Sequence, residues 1–415
     1  MNTLIIGAGT VGSVVAHKCA QNNDILGNIH LASRTPSACE AIIESIRRKG
    51  SLKDGRGAFH SGRIDATHTA DVIELIEKTR SDMVICVAAP YCNMPVLDAC
   101  IETGATYIDT AVHQAEDFPI EPFPWYGNYE WKRRERCKEQ GITAILGVGF
   151  DPGVVNAYCA YAQKHYFNRL ISVDIMDINA GNHGKFFATN FDPETNLQEV
   201  VEPVGYWENR EWKKTTHHSV SRTFDFPHLG EHKLYLMGHD EVHSLPLLMD
   251  IDTVRFWMGF SDHYINCLTV LENIGLLSFE PVTTKEGVEV IPIKVLKACL
   301  PAQTDLAHGY SGETCIGNLI RGIGEGEEKE IFIYNLCHHE VCYKEVEAHA
   351  IGYTAGVPPV AAAILVVQGH WDCKEMKNVE ELDPDPFIDL LDLMGLKTEV
   401  IRYSGCTREE NSPTP

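Results

Sequence analysis

The chain has 415 residues, of which 44% are hydrophobic and 22% are charged. The length suggests two or three domains, or one domain with a large insertion, and the composition supports a sizeable core and excludes disorder over most of the length. Lysine and arginine number 35 against 58 aspartates and glutamates, a formal net charge of −23; such a surface repels phosphate backbones and anionic lipids, so we expect neither nucleic acid nor a membrane as a partner.

Neither the N-terminus nor the cysteines indicate export. The chain begins with a strand-like run instead of a basic segment followed by an apolar one, and we find no run of about 18 apolar residues that predicts a membrane helix. The 14 cysteines are scattered and never form a CxxC pair. We therefore expect a reduced, cytoplasmic protein.

Short apolar strands alternate with helical patterns over the first 146 residues. The predicted strands cover residues 3–6, 29–33, 58–64, 83–88, 106–108 and 143–146. The predicted helices between them cover residues 13–20, 36–49, 72–79, 94–103 and 129–140. This alternation is typical of a parallel sheet covered by helices on both faces.

The pattern changes after Gly147. A strand is predicted at 170–178, and the segment 180–235 is rich in asparagine, glycine, histidine and aromatic residues with short strand-like runs. A helix is predicted at 263–277. This middle section is interpreted as a mostly β domain that binds substrate.

The last section returns to helix. A helix is predicted at 360–368, where Pro358 and Pro359 would form the first turn and Gly369 the stop. The tail from about Thr407 is expected to fray.

A glycine fingerprint follows the first strand directly. It reads Gly7-Ala8-Gly9-Thr10-Val11-Gly12 and stands between a predicted strand and a predicted helix, the context that dinucleotide binding requires. Gly7 permits the tight turn, Gly9 lets the backbone approach the pyrophosphate, and Gly12 lets the helix pack on the strand. The N-terminus of the helix then meets the negative charge with unpaired N–H groups.

The end of the second strand identifies the cofactor. An enzyme that binds the ribose 2′-hydroxyl carries Asp or Glu about 20 residues after the last glycine. This chain has Ala32-Ser33-Arg34-Thr35 there instead. A guanidinium and two hydroxyls are suited to a 2′-phosphate, so the sequence predicts NADP(H).

Two further strand ends are candidates for cofactor contact. Asp65 and Ala66 follow the third strand, and Ala89 and Pro90 follow the fourth. They fall at the carboxyl edge of the sheet, where adenine and the nicotinamide ribose bind in such folds. A helix cap and an ordinary strand-to-helix turn explain the same residues equally well.

Several motifs together resemble the saccharopine dehydrogenase-like reductases. The glycine fingerprint is followed by Tyr107-Ile108-Asp109-Thr110 and by Gly149-Phe150-Asp151-Pro152-Gly153-Val154-Val155-Asn156. Within that family, later segments are similar to the carboxynorspermidine and carboxyspermidine dehydrogenase branch; these segments are 180–191, 255–258, 339–346 and 382–387.

The resemblance implies an α/β fold in which an N-terminal Rossmann domain that binds NADP is completed by C-terminal helices, with an inserted α+β domain for substrate binding and dimerisation. The corresponding segments are 1–150, 151–340 and 341–415. It also implies NADPH-dependent reductive condensation of L-aspartate 4-semialdehyde with putrescine or 1,3-diaminopropane in polyamine biosynthesis, by a homodimer. Thr110 and Phe150 then become further candidate cofactor contacts.

The reaction sets demands on the catalytic residues. The attacking amine must be neutral and the carbinolamine hydroxyl must be protonated before it leaves. His183 is the leading acid/base candidate because histidine titrates in the working range. Lys185 is either an anchor for the substrate carboxylate or merely exposed. Asp151 begins the crossover to the second domain, where it lines the interdomain cleft or caps the following helix.

The substrates set a second group of demands. The far ammonium of a diamine needs a carboxylate, and we prefer Asp240 and Glu241 over the other acidic residues available, which are Asp192, Glu194 and Glu199. The carboxylate of the aldehyde needs a donor, for which Arg222 or Arg255 would serve. Neutral hydrogen bonds are expected from Asn182, Thr189 and Asn190.

Other functions remain open at this point. A saccharopine reductase would join aminoadipate semialdehyde to glutamate and would need more cationic groups. A non-catalytic NADPH sensor would bind the cofactor without turnover. Cys315 is the best-placed thiol for a covalent mechanism, and Cys337 and Cys342 flank two histidines, but no second pair at zinc spacing accompanies them and no metal is expected.

Overall fold

The computed structural model describes residues 1–53, 58–116 and 120–403, with the backbone only at 303 and 304. The predicted fraying of the tail from Thr407 falls outside the described residues. The strands of the described part are β1 Asn2–Ile6, β2 Asn28–Ser33, β3 Phe59–Arg63, β4 Met83–Cys86, β5 Thr106–Asp109, β6 Ala144–Leu146, β7 Arg169–Asn179, β8 Val204–Glu208, β9 Glu211–Thr215, β10 Ser221–Phe226, β11 Gly230–Met237, β12 Thr253–Gly259, β13 Val282–Thr283, β14 Glu289–Val290, β15 Glu313–Gly324, β16 Glu327–His338, β17 Met376–Asn378 and β18 Thr398–Tyr403.

Helices connect most of these strands. The α-helices are α1 Thr10–Gln21, α2 Asn23–Leu26, α3 Pro36–Lys49, α4 Thr69–Thr79, α5 Asn93–Thr103, α6 Arg134–Gln140, α7 Val154–His165, α8 Pro193–Glu199, α9 Leu245–Leu248, α10 Asp262–Asn273, α11 Pro292–Cys299, α12 Gln303–Ala307, α13 His339–Val346, α14 Ala350–Val367 and α15 Asp385–Leu393. The helix predicted at 129–140 is shorter than expected, because its first residues form 3₁₀ turns.

Seven parallel strands form the first sheet, in the order β17-β6-β5-β4-β1-β2-β3. The strand order reverses at β1, since β2 lies on one side and β4 on the other. In such sheets the crevice at this reversal is the ligand site. The sequence predicted six of these strands and missed β17, a three-residue strand that reaches the sheet from the C-terminal part of the chain.

The second sheet has nine strands and is mostly antiparallel. Its main path runs β10-β11-β12-β7-β15-β16-β18, and β8 and β9 extend it from β12. The long hairpin β15–β16 turns through Glu325 and Gly326, both at positive φ, as a two-residue hairpin turn of this twist requires. The C-terminal strand β18 pairs with β16, so the segment after residue 340 contributes to both sheets. The domain boundaries at 150 and 340 stay a prediction.

The predicted start of the helix at 360–368 is wrong. α14 begins ten residues earlier, at Ala350, and carries Pro358 and Pro359 in its interior. Two backbone N–H donors are missing there, which ordinarily breaks a helix. Here 15 of the 18 residues are buried, so tertiary packing outweighs the local preference.

By length and composition alone, α14 is long and apolar enough to cross a membrane. It has 18 residues and a mean hydropathy of 1.8, but 83% of it is buried inside the protein. The search for unbroken apolar runs missed it because glycine, threonine and proline interrupt the segment. Its burial is typical of the central helix of a globular core.

α14 packs directly on α1 because two glycines allow the backbones to approach. A Cβ atom at Gly352 would overlap the Cγ2 atom of Thr10, and a Cβ at Gly356 would lie 2.6 Å from the Cβ of Val14. Gly352 thus meets Thr10, and Gly356, four residues later, meets Val14, four residues after Thr10. The two helices therefore run in the same direction. Both N-termini point to the same edge of the first sheet.

We expect Gly356→Ala to destabilise the protein by about 1–3 kcal/mol, because the added methyl group overpacks the contact with α1. Gly62→Ala is the matched control, since its Cβ would find only an ordinary contact of 3.7 Å. Urea unfolding of both variants measures the difference. Equal stability of the two variants would contradict the close packing of α14 on α1.

Candidate active site

A single cleft of about 860 Å³ joins the two sheets. Its walls are the carboxyl edge of the first sheet, loops and strand ends of the second sheet, and the first turn of α14. The cleft opens at the point where the strand order of the first sheet reverses. The site is therefore shared between the parts that the sequence assigned to cofactor and to substrate.

The glycine fingerprint has the geometry that a dinucleotide requires. Gly7 has a φ of +122°, and a Cβ there would overlap the carbonyl of Val87. A Cβ at Gly12 would overlap the carbonyl of Gly7, which explains the close approach of α1 to β1. At Gly9, by contrast, a Cβ would meet nothing within 4 Å, and the residue lines the cleft. The backbone of Gly9 is thus open to a phosphate at the N-terminus of α1.

The residues after β2 fit a 2′-phosphate. Ser33, Arg34 and Thr35 all line the cleft, and the Nη2 atom of Arg34 donates to the hydroxyl of Tyr91 at 3.2 Å. Arg63 pairs with Ser33 in the sheet register, which brings a second guanidinium to the same edge. Sequence reasoning missed Arg63, although its position at the end of the third strand is visible in the sequence.

The other predicted cofactor residues divide into two groups. The cleft is lined by Thr10, Val11, Asp65, Ala66, Ala89, Pro90 and Thr110. Gly12 lies behind the turn against Gly7, and Phe150 is 1% exposed with its ring edge-on to Tyr158. These last two residues shape the site from behind, and their contact with cofactor stays a prediction.

Of the acidic residues that line the cleft, five act on one another electrostatically, and we call them the acidic cluster: Asp151, Asp177, Glu199, Glu202 and Asp240. Asp177 lies between the apolar residues Met176 and Ile178 of β7, and a carboxylate in the buried part of a strand is a signal that sequence reasoning overlooked. Glu202 was missed as well.

The acidic cluster is poorly solvated, and its members disfavour one another's charge. Burial, together with the neighbouring carboxylates, raises the pKa of Asp177, of Glu202 and of Asp240 to about 7. Burial and the charge of Asp177 raise the pKa of Asp151 well above its usual range. Such values concentrate at sites that bind cations or transfer protons.

His239 supplies a positive charge beside this cluster. Its Nδ1 donates to Glu241 Oε2 at 2.6 Å and its Nε2 donates to Glu199 Oε1 at 3.0 Å. Burial disfavours the charged ring, but the two carboxylates outweigh it and raise the pKa of His239 well above its usual range. Glu241, one of the preferred diamine ligands, is fully buried behind His239 and does not line the cleft.

Asp240, the neighbour of His239 in the chain, lines the cleft. Its Oδ2 accepts a hydrogen bond from the backbone N–H of Val112 at 2.7 Å. This bond ties the second domain to the loop after β5. Of the predicted pair, Asp240 is therefore placed to meet a ligand and Glu241 to position His239.

A histidine cluster occupies another wall of the cleft, around Tyr310. The rings of His183, His339 and His349 lie 5.5, 3.8 and 5.7 Å from the ring of Tyr310. The Tyr310 hydroxyl accepts from Asn179 Nδ2 at 2.6 Å and donates to Asn190 Oδ1 at 2.9 Å. Except for His339, these residues line the cleft.

These histidines are neutral. Burial and Lys185 lower the pKa of His183, and burial with His183 lowers the pKa of His349 to about 4. Burial and the neighbouring His349 lower the pKa of His339 to about 3. His349 and Tyr310 carried no sequence signal, because neither belongs to a recognised motif.

Four predicted residues lie away from the cleft. Lys185 and Asn182 are exposed on the loop that carries His183, and Thr189 is buried with its hydroxyl bonded to the carbonyl of Phe191. Arg222 donates to Asp174 Oδ2 at 3.2 Å on β7, outside the cleft lining. A substrate role for these residues stays a prediction that the geometry does not favour.

The candidate thiols are equally remote. Cys315 is buried in the sheet on β15, where burial raises the pKa of its thiol, and it does not line the cleft. Cys337 and Cys342 place their sulfurs 3.3 Å apart in the core. Among the described residues no group of His, Cys, Asp and Glu side chains is arranged to hold a metal ion.

This arrangement places the dinucleotide-binding edge of the first sheet and polar residues of the second domain around one cleft. Proteins so built transfer hydride between a nicotinamide and a small polar substrate, and the class is that of the two-domain, NADP-dependent oxidoreductases.

Residues 3–145 match the saccharopine dehydrogenase NADP binding domain, and residues 149–396 match the saccharopine dehydrogenase C-terminal domain. The chain belongs to the saccharopine dehydrogenase family. The predicted family and the predicted cofactor, NADP(H), are thereby confirmed.

Known relatives match nearly the whole length of this chain. Carboxynorspermidine synthase of Vibrio alginolyticus is 47% identical over 400 residues, which span 96% of this chain and 97% of the relative. Carboxyaminopropylagmatine dehydrogenase of Synechocystis sp. is 42% identical over 396 residues, 95% of this chain and 96% of the relative.

A solved structure supports the fold. Apo saccharopine dehydrogenase (L-Glu forming) from Saccharomyces cerevisiae superimposes with a TM-score of 0.70 at 12% identity, covering 97% of this chain and all of that one. The predicted fold class, a Rossmann domain combined with an inserted α+β domain, is confirmed.

We expect Arg34→Ala to raise the KM for NADPH about 10- to 100-fold, because charge-assisted hydrogen bonds to the 2′-phosphate are lost. The KM for NADH, which has no such phosphate, should stay unchanged. Lys78→Ala is the control, since Lys78 is exposed near Arg34 but does not line the cleft. An equal rise for both cofactors would contradict a role of Arg34 in reading the phosphate.

Proposed function

We propose that the enzyme joins L-aspartate 4-semialdehyde to a diamine, putrescine or 1,3-diaminopropane, and reduces the product with NADPH, in the cytoplasm and as a homodimer. The relatives support this choice, since one is named for carboxynorspermidine and the other for a carboxyaminopropyl derivative of agmatine. The observation that carries it is the acidic cluster.

The acidic cluster suits a ligand with two positive charges. Five carboxyl groups face the cleft around a single protonated histidine, whose charge is already shared by Glu199 and Glu241. An approaching ammonium group favours the ionised form of each neighbouring carboxyl, so binding and ionisation stabilise each other. A diamine supplies one ammonium for recognition and one amine for the reaction.

The chemistry needs a proton acceptor and a proton donor. The attacking amine loses a proton on the way to a neutral nucleophile, and the ionised members of the acidic cluster lie where they can accept it. Burial and Asp177 raise the pKa of Asp151 well above its usual range, so this carboxyl is suited to donate a proton to the carbinolamine hydroxyl that leaves as water. When bound, NADPH supplies the hydride for the resulting carbon–nitrogen double bond.

His183 remains the alternative acid/base group. It lines the cleft, and its Nδ1 accepts the backbone N–H of Lys185 at 3.0 Å, which leaves the proton on Nε2. Its lowered pKa makes it neutral, so it orients a substrate oxygen better than it donates a full proton.

Glutamate as the amine partner is not favoured. Its two carboxylates would face the acidic cluster, and no arginine of the second domain lines the cleft within the described ranges. Like charges in such a site repel strongly.

Exposed aliphatic side chains of the second domain support the homodimer. Five aliphatic side chains between residues 270 and 295 are 44–64% exposed: Val270, Ile274, Val282, Val288 and Val295. A region with several large exposed aliphatic side chains is a candidate for a contact between subunits.

We expect NADPH oxidation when L-aspartate 4-semialdehyde is combined with putrescine or 1,3-diaminopropane. Agmatine, lysine and glutamate are tested in the same way, with aminoadipate semialdehyde added for glutamate. The diamine with the higher kcat/KM is the preferred substrate and thereby identifies the product. Turnover with glutamate alone, or saturable NADPH binding without turnover on any pair, would overturn the proposal.

A second prediction concerns pH. Putrescine should raise the melting temperature more at pH 8 than at pH 6, because Asp177, Glu202 and Asp240, with pKa values of about 7, are ionised at the higher pH. Without ligand, stability should fall as the pH rises from about 4 to about 7 and level off above 7, since over that range the folded protein holds protons that the unfolded chain has released.

Thermal unfolding with putrescine measures this effect, and 1,4-butanediol, of equal length but uncharged, is the control. Glu202→Gln should weaken the pH dependence, because one titrating group is removed. A putrescine shift that is the same at both pH values would contradict the role of the acidic cluster.

A further inference from the structure

The carboxylate of the aldehyde has no arginine partner in the cleft. Arg255 and Arg222, the expected donors, both bind Asp174 away from the cleft, Arg255 through bonds of 2.7 and 3.0 Å. Within the described residues, Arg34 and Lys214 are the cleft-lining arginine and lysine side chains, and Arg34 lies at the adenosine end. An anionic substrate therefore needs a different kind of donor.

His349 offers one. Its Nδ1 accepts the backbone N–H of Gly352 at 3.2 Å and so caps the first turn of α14. This acceptor role fixes the tautomer, with the hydrogen on Nε2. His349 is fully buried and lines the cleft. Its Nε2 atom has no hydrogen-bond partner among the described residues.

A buried N–H group without a partner is uncommon, because it costs about 1–3 kcal/mol. This donor stands at the N-terminus of an 18-residue helix, where the backbone dipole favours negative charge. The parallel neighbour α1 adds a second N-terminus at the same edge, and two aligned dipoles repel unless an anion lies near them. The second domain faces His349 here with Tyr310, Asn190 and His183.

We propose that His349 binds the carboxylate of the amino-acid aldehyde through its Nε2–H group, at the N-terminus of α14. This inference rests on the proposed function and extends it. The cleft is then divided by charge: the acidic cluster receives the diamine, and neutral donors at a helix end receive the carboxylate. The aldehyde is thereby selected as an amino acid and distinguished from a simple amine-bearing aldehyde.

Two other arrangements make different predictions. Lys214 lines the cleft with its ammonium 4.7 Å from the centre of the Phe123 ring, and it could hold the carboxylate instead. The donor of His349 could also reach the cofactor diphosphate, since Gly352 touches Thr10 of the glycine fingerprint.

A crossed pair of substitutions separates the Nε2 donor from the helix cap. In His349→Asn the side-chain oxygen can replace the Nδ1 acceptor and keep the cap, but the Nε2 donor is lost. In His349→Gln the terminal amide reaches the Nε2 position and keeps a donor, while the cap is weakened. Melting temperatures and the Kd for NADPH are measured for both variants, with Lys214→Met as a third.

The readout is the preference for a carboxylate. The kcat/KM for L-aspartate 4-semialdehyde is divided by that for 3-aminopropanal, the same aldehyde without the carboxylate, with one diamine held saturating. We expect His349→Asn to lower this ratio about 10- to 100-fold, as loss of a hydrogen bond to a charged group does, with the NADPH Kd unchanged. His349→Gln should keep most of the preference and lose melting temperature.

An unchanged ratio in His349→Asn would overturn the inference, and so would a raised NADPH Kd without a change in the ratio. A ratio that falls in Lys214→Met but in neither His349 variant would overturn it as well. Stabilisation of the NADPH-loaded protein by L-homoserine, the alcohol that corresponds to the aldehyde, gives a readout without turnover. Loss of this stabilisation in His349→Asn supports the carboxylate site even where the diamine assignment fails. Failure of the wild type with every amine overturns the proposed function itself.

Discussion

The contact between α14 and α1 determines how the rest of the structure is arranged. Gly352 and Gly356 let the two helices run side by side in the same direction, because α14 has no side chain at the points where Thr10 and Val14 of α1 contact it. α14 also touches strands of both sheets, β5 in the first and β15 and β16 in the second. α14 therefore contacts both sheets, and its first turn lies at the cofactor edge of the first sheet.

Charge is distributed unevenly along the cleft that results. At one wall, five carboxyl groups are held close together, and burial leaves several of them partly protonated at neutral pH. At another wall, neutral rings surround Tyr310. The acidic cluster is stable without ligand because protons and His239 reduce its charge, and this leaves it ready to exchange a proton for an ammonium group.

Local patterns predicted the cofactor half of the protein well. The spacing of Gly7, Gly9 and Gly12 alone predicts dinucleotide binding, and the position of Arg34 relative to them predicts NADP(H), the cofactor of the family. The substrate half was harder, because its residues come from separate strands and loops that only the fold brings together.

Asp177, Glu202 and His349 are far apart in sequence and meet at one cleft, and Glu241, next to Asp240, turns away from it. The start of α14 was misjudged for a related reason: two prolines are a strong local signal, but the burial of 15 residues overrides them.

The order of the strands has a consequence for how the protein is made. β6 ends at Leu146, and its neighbour β17 begins at Met376, so the first sheet is incomplete until nearly all of the chain has left the ribosome. The same holds for the apolar side of α1, which α14 covers. The nucleotide-binding half is thus translated first but completed last, and the nascent chain depends on its own C-terminal segment, as a late internal partner, to hide that surface.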